Sequence, residues 1–282
     1  MKINELNIKT KDNFDLEVSH YIPDVSKQNV VLVNAALAVE KKYYDKFACF
    51  LTTQGFDVYL YNYRGIGKTK PSSWKNCKIS LNDWIENDFD AMLDYVLNNH
   101  SNYKKTLIGH SLGGQMIGAN EKINQFQSAI LIASGIGYWK NWNFPVNLQM
   151  LNYFYVAFPI LSHFFGYFPF SKLGGGEDLP KKVALEWAKW CRSKNYLFDF
   201  LPQNTLQNYK KLKIPLLHYS FTDDTYCPRR VALALQKFYP AHTEDKHVSP
   251  QSINEKSIGH FGFFKQKFEK TLWKDLLNWI EK

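Results

Sequence analysis

The sequence has few cysteines, no long run of basic residues and no apolar stretch near its start. Only four cysteines occur in 282 residues, and none shows the C-x-x-C spacing typical of metal sites or redox motifs. Lys and Arg number 35 against 26 Asp and Glu, a net charge of +9, but the basic residues form scattered pairs, which argues against nucleic-acid binding. We therefore expect reduced thiols and a cytoplasmic protein without a signal peptide. Neither a metal nor a cofactor is expected, because no metal-ligand cluster, phosphate loop or dinucleotide fingerprint is present.

Charged residues are also absent from residues 141–171. A membrane-spanning helix needs about 20 predominantly apolar residues, and asparagines, prolines and a glycine interrupt this segment. A buried or interfacial segment is the better interpretation. Aromatic residues are concentrated in the overlapping range 138–170, although they make up only 16% of the whole chain.

The remaining composition is that of a globular protein, with 45% hydrophobic and 22% charged residues, which excludes disordered and collagen-like classes. Short apolar runs typical of buried strands alternate with segments whose apolar residues follow helical spacing. This alternation predicts an α/β fold with a mostly parallel central sheet flanked by helices. The expected strands lie at 30–33, 57–63, 106–108, 129–133 and 214–221, after an opening hairpin at 3–22.

The alternation of strands and helices stops after residue 137 and resumes beyond residue 200. The sequence therefore predicts one α/β core, formed by residues 1–137 and 201–282. An aromatic-rich helical insertion at 138–200 interrupts this core.

Residues 109–113 read Gly-His-Ser-Leu-Gly and match the G-x-S-x-G pattern of a nucleophile elbow. The run follows a predicted strand and precedes a helical pattern, which is the context that such an elbow needs. Ser111 would sit on a sharp turn with its hydroxyl exposed above the sheet and with the first N–H groups of the next helix close by. Ser111 is therefore the candidate nucleophile.

A serine hydroxyl is a weak nucleophile and needs an adjacent base that a carboxylate orients. Asp223 and Asp224 follow the strand predicted at 214–221, at the carboxyl edge where ligand sites of parallel sheets lie. The candidates for the base are three later histidines, His242, His247 and His260. Glycines flank His260 just before the last predicted helix, and the chain order Ser, Asp, His favours it.

With these motifs the chain resembles an α/β-hydrolase over nearly its whole length, and is most similar to the serine-aminopeptidase-like branch of predicted hydrolases. Residues 62–69, Asn-Tyr-Arg-Gly-Ile-Gly-Lys-Thr, resemble the family's D-x-R-G-x-G-x-S loop, with Asn62 for Asp and Thr69 for Ser. The resemblance implies that Asp224 is the acid, because Pro228 follows four residues later as in the family's acid loop. The run around His260 likewise resembles the family's histidine loop.

The same resemblance implies an oxyanion hole made of two backbone N–H groups. One belongs to the residue after the nucleophile, Leu112, and the other to a residue after the third strand. Many family members carry His-Gly at this second place, whereas this chain reads Asn-Ala-Ala at 34–36. The alignment points to Ala36 and leaves a shift of one residue open.

The resemblance further implies that the insertion forms a cap over Ser111. Aromatic walls without charge favour an apolar acyl group, and the alternative is that the rings only pack the cap onto the sheet. The residues considered for such a wall are Trp139, Trp142, Phe154, Phe158 and Phe165. An aminopeptidase normally holds the free ammonium of its substrate with carboxylates, and the insertion offers none before Glu177, which favours ester over peptide hydrolysis.

The sequence thus predicts a cofactor-independent serine hydrolase that cleaves carboxylic esters or related small acyl compounds. An acyltransferase or an aminopeptidase-like amide hydrolase with the same triad stays open, as does a noncatalytic ligand- or partner-binding protein on this fold. A dehalogenase of this fold would carry Asp at the position of Ser111. The charge of +9 and the aromatic insertion also suit transient contact with an anionic membrane surface.

Overall fold

An eight-stranded sheet forms the centre of the fold in a computed structural model of the protein, which describes residues 1–239 and 243–282. Its strands are β1 Lys2–Lys9, β2 Asp15–Ile22, β3 Asn29–Asn34, β4 Phe56–Tyr61, β5 Lys104–His110, β6 Ser128–Ile132, β9 Leu216–Phe221 and β10 Thr243–Val248, while β7 Tyr167–Phe168 and β8 Leu179–Pro180 form a separate pair. The strand order is β1-β2-β4-β3-β5-β6-β9-β10. Among the described strands of this sheet, only the β1–β2 and β2–β4 pairs are antiparallel, so the predicted mostly parallel sheet is confirmed.

Helices connect the strands and cover the sheet. The α-helical segments are α1 Asp45–Thr53, α2 Leu81–Asp83, α3 Asp90–Asn99, α4 Leu112–Gln115, α5 Val146–Asn152, α6 Phe158–Phe165, α7 Lys181–Arg192, α8 Gln203–Lys210, α9 Arg229–Gln236, α10 Gly259–Gly262 and α11 Lys274–Ile280. Turns of π-helix join α2 to α3, join α5 to α6, and lead into α11. Every residue of β4, β6 and β9 is buried, as expected for parallel strands covered on both faces.

The register of the central strands brings three loops to one edge of the sheet. Asn34, the last residue of β3, pairs with Gly109 near the end of β5, so the loop after β3 lies beside Ser111. The loop after β9, which carries Asp223 and Asp224, leaves the sheet at the same carboxyl edge because β6 and β9 run parallel to β5. This is the edge where parallel sheets bind ligands.

Residues of the segment 138–200 contact loops that follow three of the strands at this carboxyl edge. The contacts are a hydrogen bond from the Glu177 N–H to the Ala38 carbonyl oxygen at 2.7 Å after β3, a stack of Tyr167 on Trp74 at 5.1 Å after β4, and a hydrogen bond from Trp142 Nε1 to the Thr225 carbonyl oxygen at 2.9 Å after β9. The approach to the first loop is close, since a Cβ on Gly176 would lie 2.0 Å from the Ala38 oxygen. Only glycine fits there.

The helix predicted after the elbow is shorter than the sequence pattern suggests. The α-helix ends at Gln115, and the chain then forms two separate 3₁₀ turns. The reason is that two buried tyrosines replace the helical N–H donors: Tyr239 donates to the Gly114 carbonyl and Tyr209 to the Gln115 carbonyl, each at 2.7 Å. Side chains inserted into the backbone ladder interrupt a helix in this way.

Among the described residues, no helix is both long and apolar enough to cross a membrane. The charge-free segment 141–171 instead contains two short α-helices and a π turn. None of the four cysteines forms a disulfide in the structure.

Candidate active site

Ser111 occupies the sharp turn between β5 and α4. Its φ of 51° and ψ of −113° are uncommon for a residue with a side chain, and its N–H is fixed by the Ile132 carbonyl oxygen at 2.9 Å. Gly113 lets the turn approach the loop after β3, since a Cβ there would lie 2.3 Å from the Asn34 carbonyl oxygen. Residues 109–113 thus have the strained strand-turn-helix geometry of a nucleophile elbow.

The side chains of Ser111, His260 and Asp224 form a hydrogen-bonded chain. Ser111 Oγ lies 2.9 Å from His260 Nε2, and His260 Nδ1 lies 2.8 Å from Asp224 Oδ2. The other oxygen of Asp224 accepts the N–H groups of Tyr226 and Cys227 at 2.9 and 2.8 Å. Because the carboxylate only accepts, it places the proton on Nδ1 and leaves the Nε2 lone pair facing the serine hydroxyl. The Asp224 side chain is 0% exposed and that of His260 is 8% exposed.

Asp223, unlike Asp224, bonds backbone groups of the histidine loop. Its two oxygens accept the N–H groups of Ile258 and Gly259 at 2.8 and 3.0 Å, so it holds the backbone just before His260. Asp224 therefore contacts the imidazole, whereas Asp223 positions the loop that carries it.

Of the other two candidate histidines, the structure describes only His247, which is not placed at Ser111. His247 lies on the edge strand β10, and its Nδ1 is within 2.8 Å of Ser220 Oγ on the neighbouring strand. Strands β6 and β9 separate it from β5, which corresponds to about 14 Å at 4.8 Å per strand. His242 lies outside the described residues.

A second set of buried hydrogen bonds links the loop after β3 to the histidine loop, and sequence reasoning missed it. Ala36 N–H donates to Tyr44 Oη at 2.9 Å, Tyr44 Oη contacts His110 Nδ1 at 2.9 Å, and His110 Nε2 contacts the His260 carbonyl oxygen at 2.9 Å. The carbonyl only accepts, so Nε2 carries the proton and Nδ1 accepts the Tyr44 hydroxyl. Burial holds the pKa of His110 well below its usual range, which keeps this imidazole neutral.

This network contradicts the expected role of Ala36. Its N–H is already committed to the Tyr44 hydroxyl, as buried backbone donors generally are, so it is not a free oxyanion donor. Within the described chain, the N–H groups of Leu37 and Leu112 have no intramolecular acceptor. Leu37 lies one residue beyond Ala36, within the shift that the alignment leaves open after β3.

Tyr44→Phe is expected to lower kcat for ester hydrolysis by about one to two orders of magnitude, because the Ala36 N–H and His110 Nδ1 lose their partner next to the site. An unsatisfied buried group costs about 1–3 kcal/mol, so the unfolding temperature should fall as well. The measurement is kcat and KM for a soluble ester well below that temperature.

A matched control separates positioning from stability. Tyr59 is also buried and bonds a histidine, His100 Nε2, at 2.9 Å, but it lies in β4, away from Ser111. Tyr59→Phe should lower stability and leave kcat unchanged. Equal kcat values for the two variants would mean that Tyr44 serves only the core.

The 62–69 loop has a structural part in this molecule. Arg64 Nε pairs with Asp88 Oδ1 at 2.6 Å, and Arg64 Nη1 pairs with Asp12 Oδ2 at 2.6 Å. Asn62 Oδ1 accepts the Lys41 N–H at 2.7 Å. The motif therefore ties the first hairpin and the helix after β4 to the core.

Two exposed aromatic rings stand beside the imidazole. The Tyr226 ring lies 5.4 Å and the Phe261 ring 5.0 Å from that of His260, and both are exposed large side chains. They give the open side of the site an apolar border. Neither residue stood out in the sequence as a wall of the site, because Tyr226 comes from the loop after β9 and Phe261 from α10, both in the core and not in the insertion.

The aromatic residues of the insertion divide into two groups. Phe154 and Phe158 are buried and pack on Trp187 of α7 at 5.3 and 5.2 Å between ring centroids, so they form the insertion's own core. Trp142 is buried beside the acid loop, whereas Phe165 is exposed. Packing therefore accounts for much of the aromatic content expected to line a pocket.

One group of residues has the composition of a metal site, but it lies at the other edge of the sheet. The ligand atoms of His20, Asp57 and His100 are within 4.8 Å of one another. Asp57 is near the start of β4, whereas Ser111 follows the end of the parallel strand β5. His20 Nε2 bonds Asp57 Oδ1 at 2.8 Å, so these residues take no part in the chemistry at Ser111.

Solved structures of hydrolases share this fold. An esterase from Pyrococcus furiosus matches with a TM-score of 0.65 at 13% identity, over 99% of this chain and 91% of that one. A monoacylglycerol lipase from Paleococcus ferrophilus matches with a TM-score of 0.61 at 14% identity, over 95% and 98% of the two chains. An esterase from Exiguobacterium antarcticum matches with a TM-score of 0.62 at 15% identity, over 99% and 100%. Identities this low establish the fold alone.

The family is established by sequence. No curated protein sequence matches the chain. The family model described as "Serine aminopeptidase, S33" matches residues 25–186, more than half of the chain. The matched range includes the 62–69 loop, the elbow at Ser111 and most of the insertion, and Asp224 and His260 follow it. The protein therefore belongs to the serine aminopeptidase S33 family of α/β hydrolases.

Proposed function

We propose that the protein is a cofactor-independent serine hydrolase that cleaves carboxylic esters of small molecules. The observation that carries this proposal is the unbroken hydrogen-bond chain from Ser111 through His260 to Asp224, at the carboxyl edge of the sheet. A structural contact would not require a strained backbone at Ser111. Nor would it require a buried carboxylate held by two further backbone N–H groups.

In this mechanism Ser111 Oγ attacks the carbonyl carbon while His260 Nε2 takes its proton. Asp224 fixes the tautomer and stabilises the imidazolium that forms. His260 then protonates the leaving alcohol, which gives an acyl-enzyme. In the second half-reaction His260 removes a proton from water, the hydroxide attacks the acyl carbon, and the acid leaves as Ser111 regains its proton.

The oxyanion is bound by the N–H of Leu112 and, in place of Ala36, by that of Leu37. Both donors lack an acceptor within the described chain, and the close contact of Gly113 with Asn34 holds the two loops together. Removing one such donor typically costs about 2.7–4 kcal/mol of transition-state stabilisation. The Ala36 N–H donates to Tyr44 Oη, which His110 Nδ1 holds in place. This contact fixes the loop after β3 and therefore the Leu37 donor.

An ester is favoured over a peptide because Asp223 and the first two carboxylates of the insertion, Glu177 and Asp178, already have partners. Asp223 accepts two backbone N–H groups, Glu177 pairs with Lys70, and Asp178 accepts the backbone N–H and the hydroxyl of Ser171. A substrate ammonium brought to the site would lose hydration without an opposite charge to replace it. The esterase and lipase names of structural neighbours support the same choice.

Labelling with a fluorophosphonate tests the nucleophile directly. The adduct should map to Ser111 by mass spectrometry of the digested protein, and the rate of labelling should fall when His260 is replaced by glutamine. An adduct on another residue would remove the basis of the proposal. Product analysis with a competing alcohol then separates hydrolysis from acyl transfer.

Specificity should rise with acyl chain length if the apolar border of the site contacts the acyl group. Each buried methylene is worth up to ~0.8 kcal/mol, or about fourfold in kcat/KM. We expect p-nitrophenyl esters to improve from acetate upward until the site is full, and aminoacyl anilides to be poor substrates.

Two tyrosine variants sharpen this measurement. Tyr226→Ala should flatten the series, because this ring borders His260, whereas Tyr153→Ala on the insertion should not change it. Both tyrosines are exposed, so a difference between the two variants in chain-length preference would not come from lost core packing. A flat series for the unaltered protein, or anilides that outperform every ester, would show that an apolar acyl group is not selected.

A further inference from the structure

The outer face of the insertion exposes an unusual amount of apolar surface. More than half of the exposed large apolar side chains in the described chain fall within residues 144–165. The most exposed are Phe164 at 80%, Phe144 at 77% and Ile160 at 60%. Soluble proteins seldom leave so contiguous an apolar surface without a partner.

The helical run from α5 to α6 is apolar on both sides. Its inner side buries Phe154 and Phe158 against α7. Val156, Ile160 and Phe164 follow one another at i, i+4 spacing on the opposite side and are all exposed. A helix that faced water there would carry polar residues. We call this exposed stripe, together with Phe144 and Leu148, the outer apolar face.

Basic groups lie along the border of this face. The Arg192 guanidinium is 5.2 Å from the centre of the exposed Tyr155 ring, and Lys172 Nζ is 5.3 Å from that of Phe165. No Asp, Glu, Lys or Arg occurs between residues 141 and 171. The face is therefore apolar in the middle and cationic at its rim, with aromatic rings between the two.

We propose that the outer apolar face inserts into the headgroup region of a lipid bilayer that contains anionic lipid. Interfacial helices combine an apolar face with basic residues and aromatic rings at the level of the headgroups. The run 146–165 would be about 30 Å long at 1.5 Å per residue, and its axis would lie parallel to the membrane surface. A two-fold pair of chains would cover the apolar surface but would oppose the same cationic rims, so lipid is the better occupant.

The test is flotation of the protein with vesicles of phosphatidylcholine, with or without about 30% phosphatidylglycerol. The unaltered protein should float with the anionic vesicles, and salt should weaken this binding. The double variant Ile160→Glu and Phe164→Glu should bind at least tenfold less. A control double variant, Val25→Glu and Leu233→Glu, changes exposed apolar residues elsewhere and should bind as the unaltered protein does.

The rim is tested separately. Lys172→Gln and Arg192→Gln should each weaken binding to anionic vesicles by about fivefold, because a basic residue near such a surface contributes about 1 kcal/mol. Binding to neutral vesicles should change little.

The proposal does not depend on the chemistry at Ser111. Ser111→Ala should float like the unaltered protein, and the Ile160→Glu, Phe164→Glu variant should still hydrolyse a soluble acetate ester. Absence of flotation with anionic vesicles at low salt would overturn the proposal. So would sedimentation as a dimer that the double glutamate variant dissociates, since the face would then bind a second copy.

Discussion

Ser111→Ala should lower ester hydrolysis by about four or more orders of magnitude and leave the protein folded. Members of a triad act as a unit, so removal of the nucleophile removes most of the rate enhancement that the three supply together. The methyl group of alanine fits the turn, and the backbone hydrogen bond to Ile132 does not involve the hydroxyl. The measurement is kcat/KM for the best ester, beside a circular dichroism melt that reports folding.

A second serine provides the control for this result. Ser134 is also buried at the carboxyl edge, and its hydroxyl donates to the backbone carbonyl oxygens of Gly109 and Ile132. Ser134→Ala should therefore retain activity. Hydrolysis that survives Ser111→Ala with the same substrate and the same chain-length preference would assign the activity to another residue.

Much of the fold follows from local patterns in the sequence. The buried strands are short apolar runs in the sequence because both of their faces are covered. The elbow is recognisable as a motif because its sharp turn requires glycines two residues before and after Ser111. The edge strand β10 did not show such a pattern. Its sequence, Thr-Glu-Asp-Lys-His-Val, is largely polar, with three residues exposed and three half-buried, and edge strands often carry charged residues that prevent pairing with other chains.

The residues that act on the site at a distance are harder to predict. Tyr44 and His110 are 66 positions apart. Tyr44 ends the 3₁₀ turn that follows β3, and His110 ends β5, which pairs with β3. A local sequence pattern does not predict a contact that depends on tertiary packing. For the same reason the Ala36 N–H read as a free donor, although a tyrosine eight residues later occupies it.

The insertion shows a further limit of predicting structure from amino-acid composition. Its aromatic content predicts an apolar environment but not which side of a helix faces lipid, substrate or core. Phe158 and Ile160 are two positions apart, yet Phe158 is 4% exposed and Ile160 is 60% exposed. Three-dimensional packing against α7 decides between them.

Neighbouring carboxylates give the other large expected effect. Asp224→Asn should lower kcat by about 10⁴, because the two backbone N–H groups of Tyr226 and Cys227 hold the amide oxygen and turn the NH₂ group toward His260. The imidazole then accepts at Nδ1 and carries its proton on Nε2, where it no longer accepts a proton from Ser111.

Asp223→Asn should cost far less, about two orders of magnitude at most. Its carboxylate accepts the N–H groups of Ile258 and Gly259, and an unsatisfied buried donor costs about 1–3 kcal/mol. This loss moves the histidine loop but keeps the tautomer. The pH dependence of kcat should therefore keep its shape in Asp223→Asn and change in Asp224→Asn, because only Asp224 contacts the imidazole. If Asp223→Asn proves the more damaging change, the acid of the triad is Asp223, and the contact between Asp224 and His260 is not the one used in catalysis.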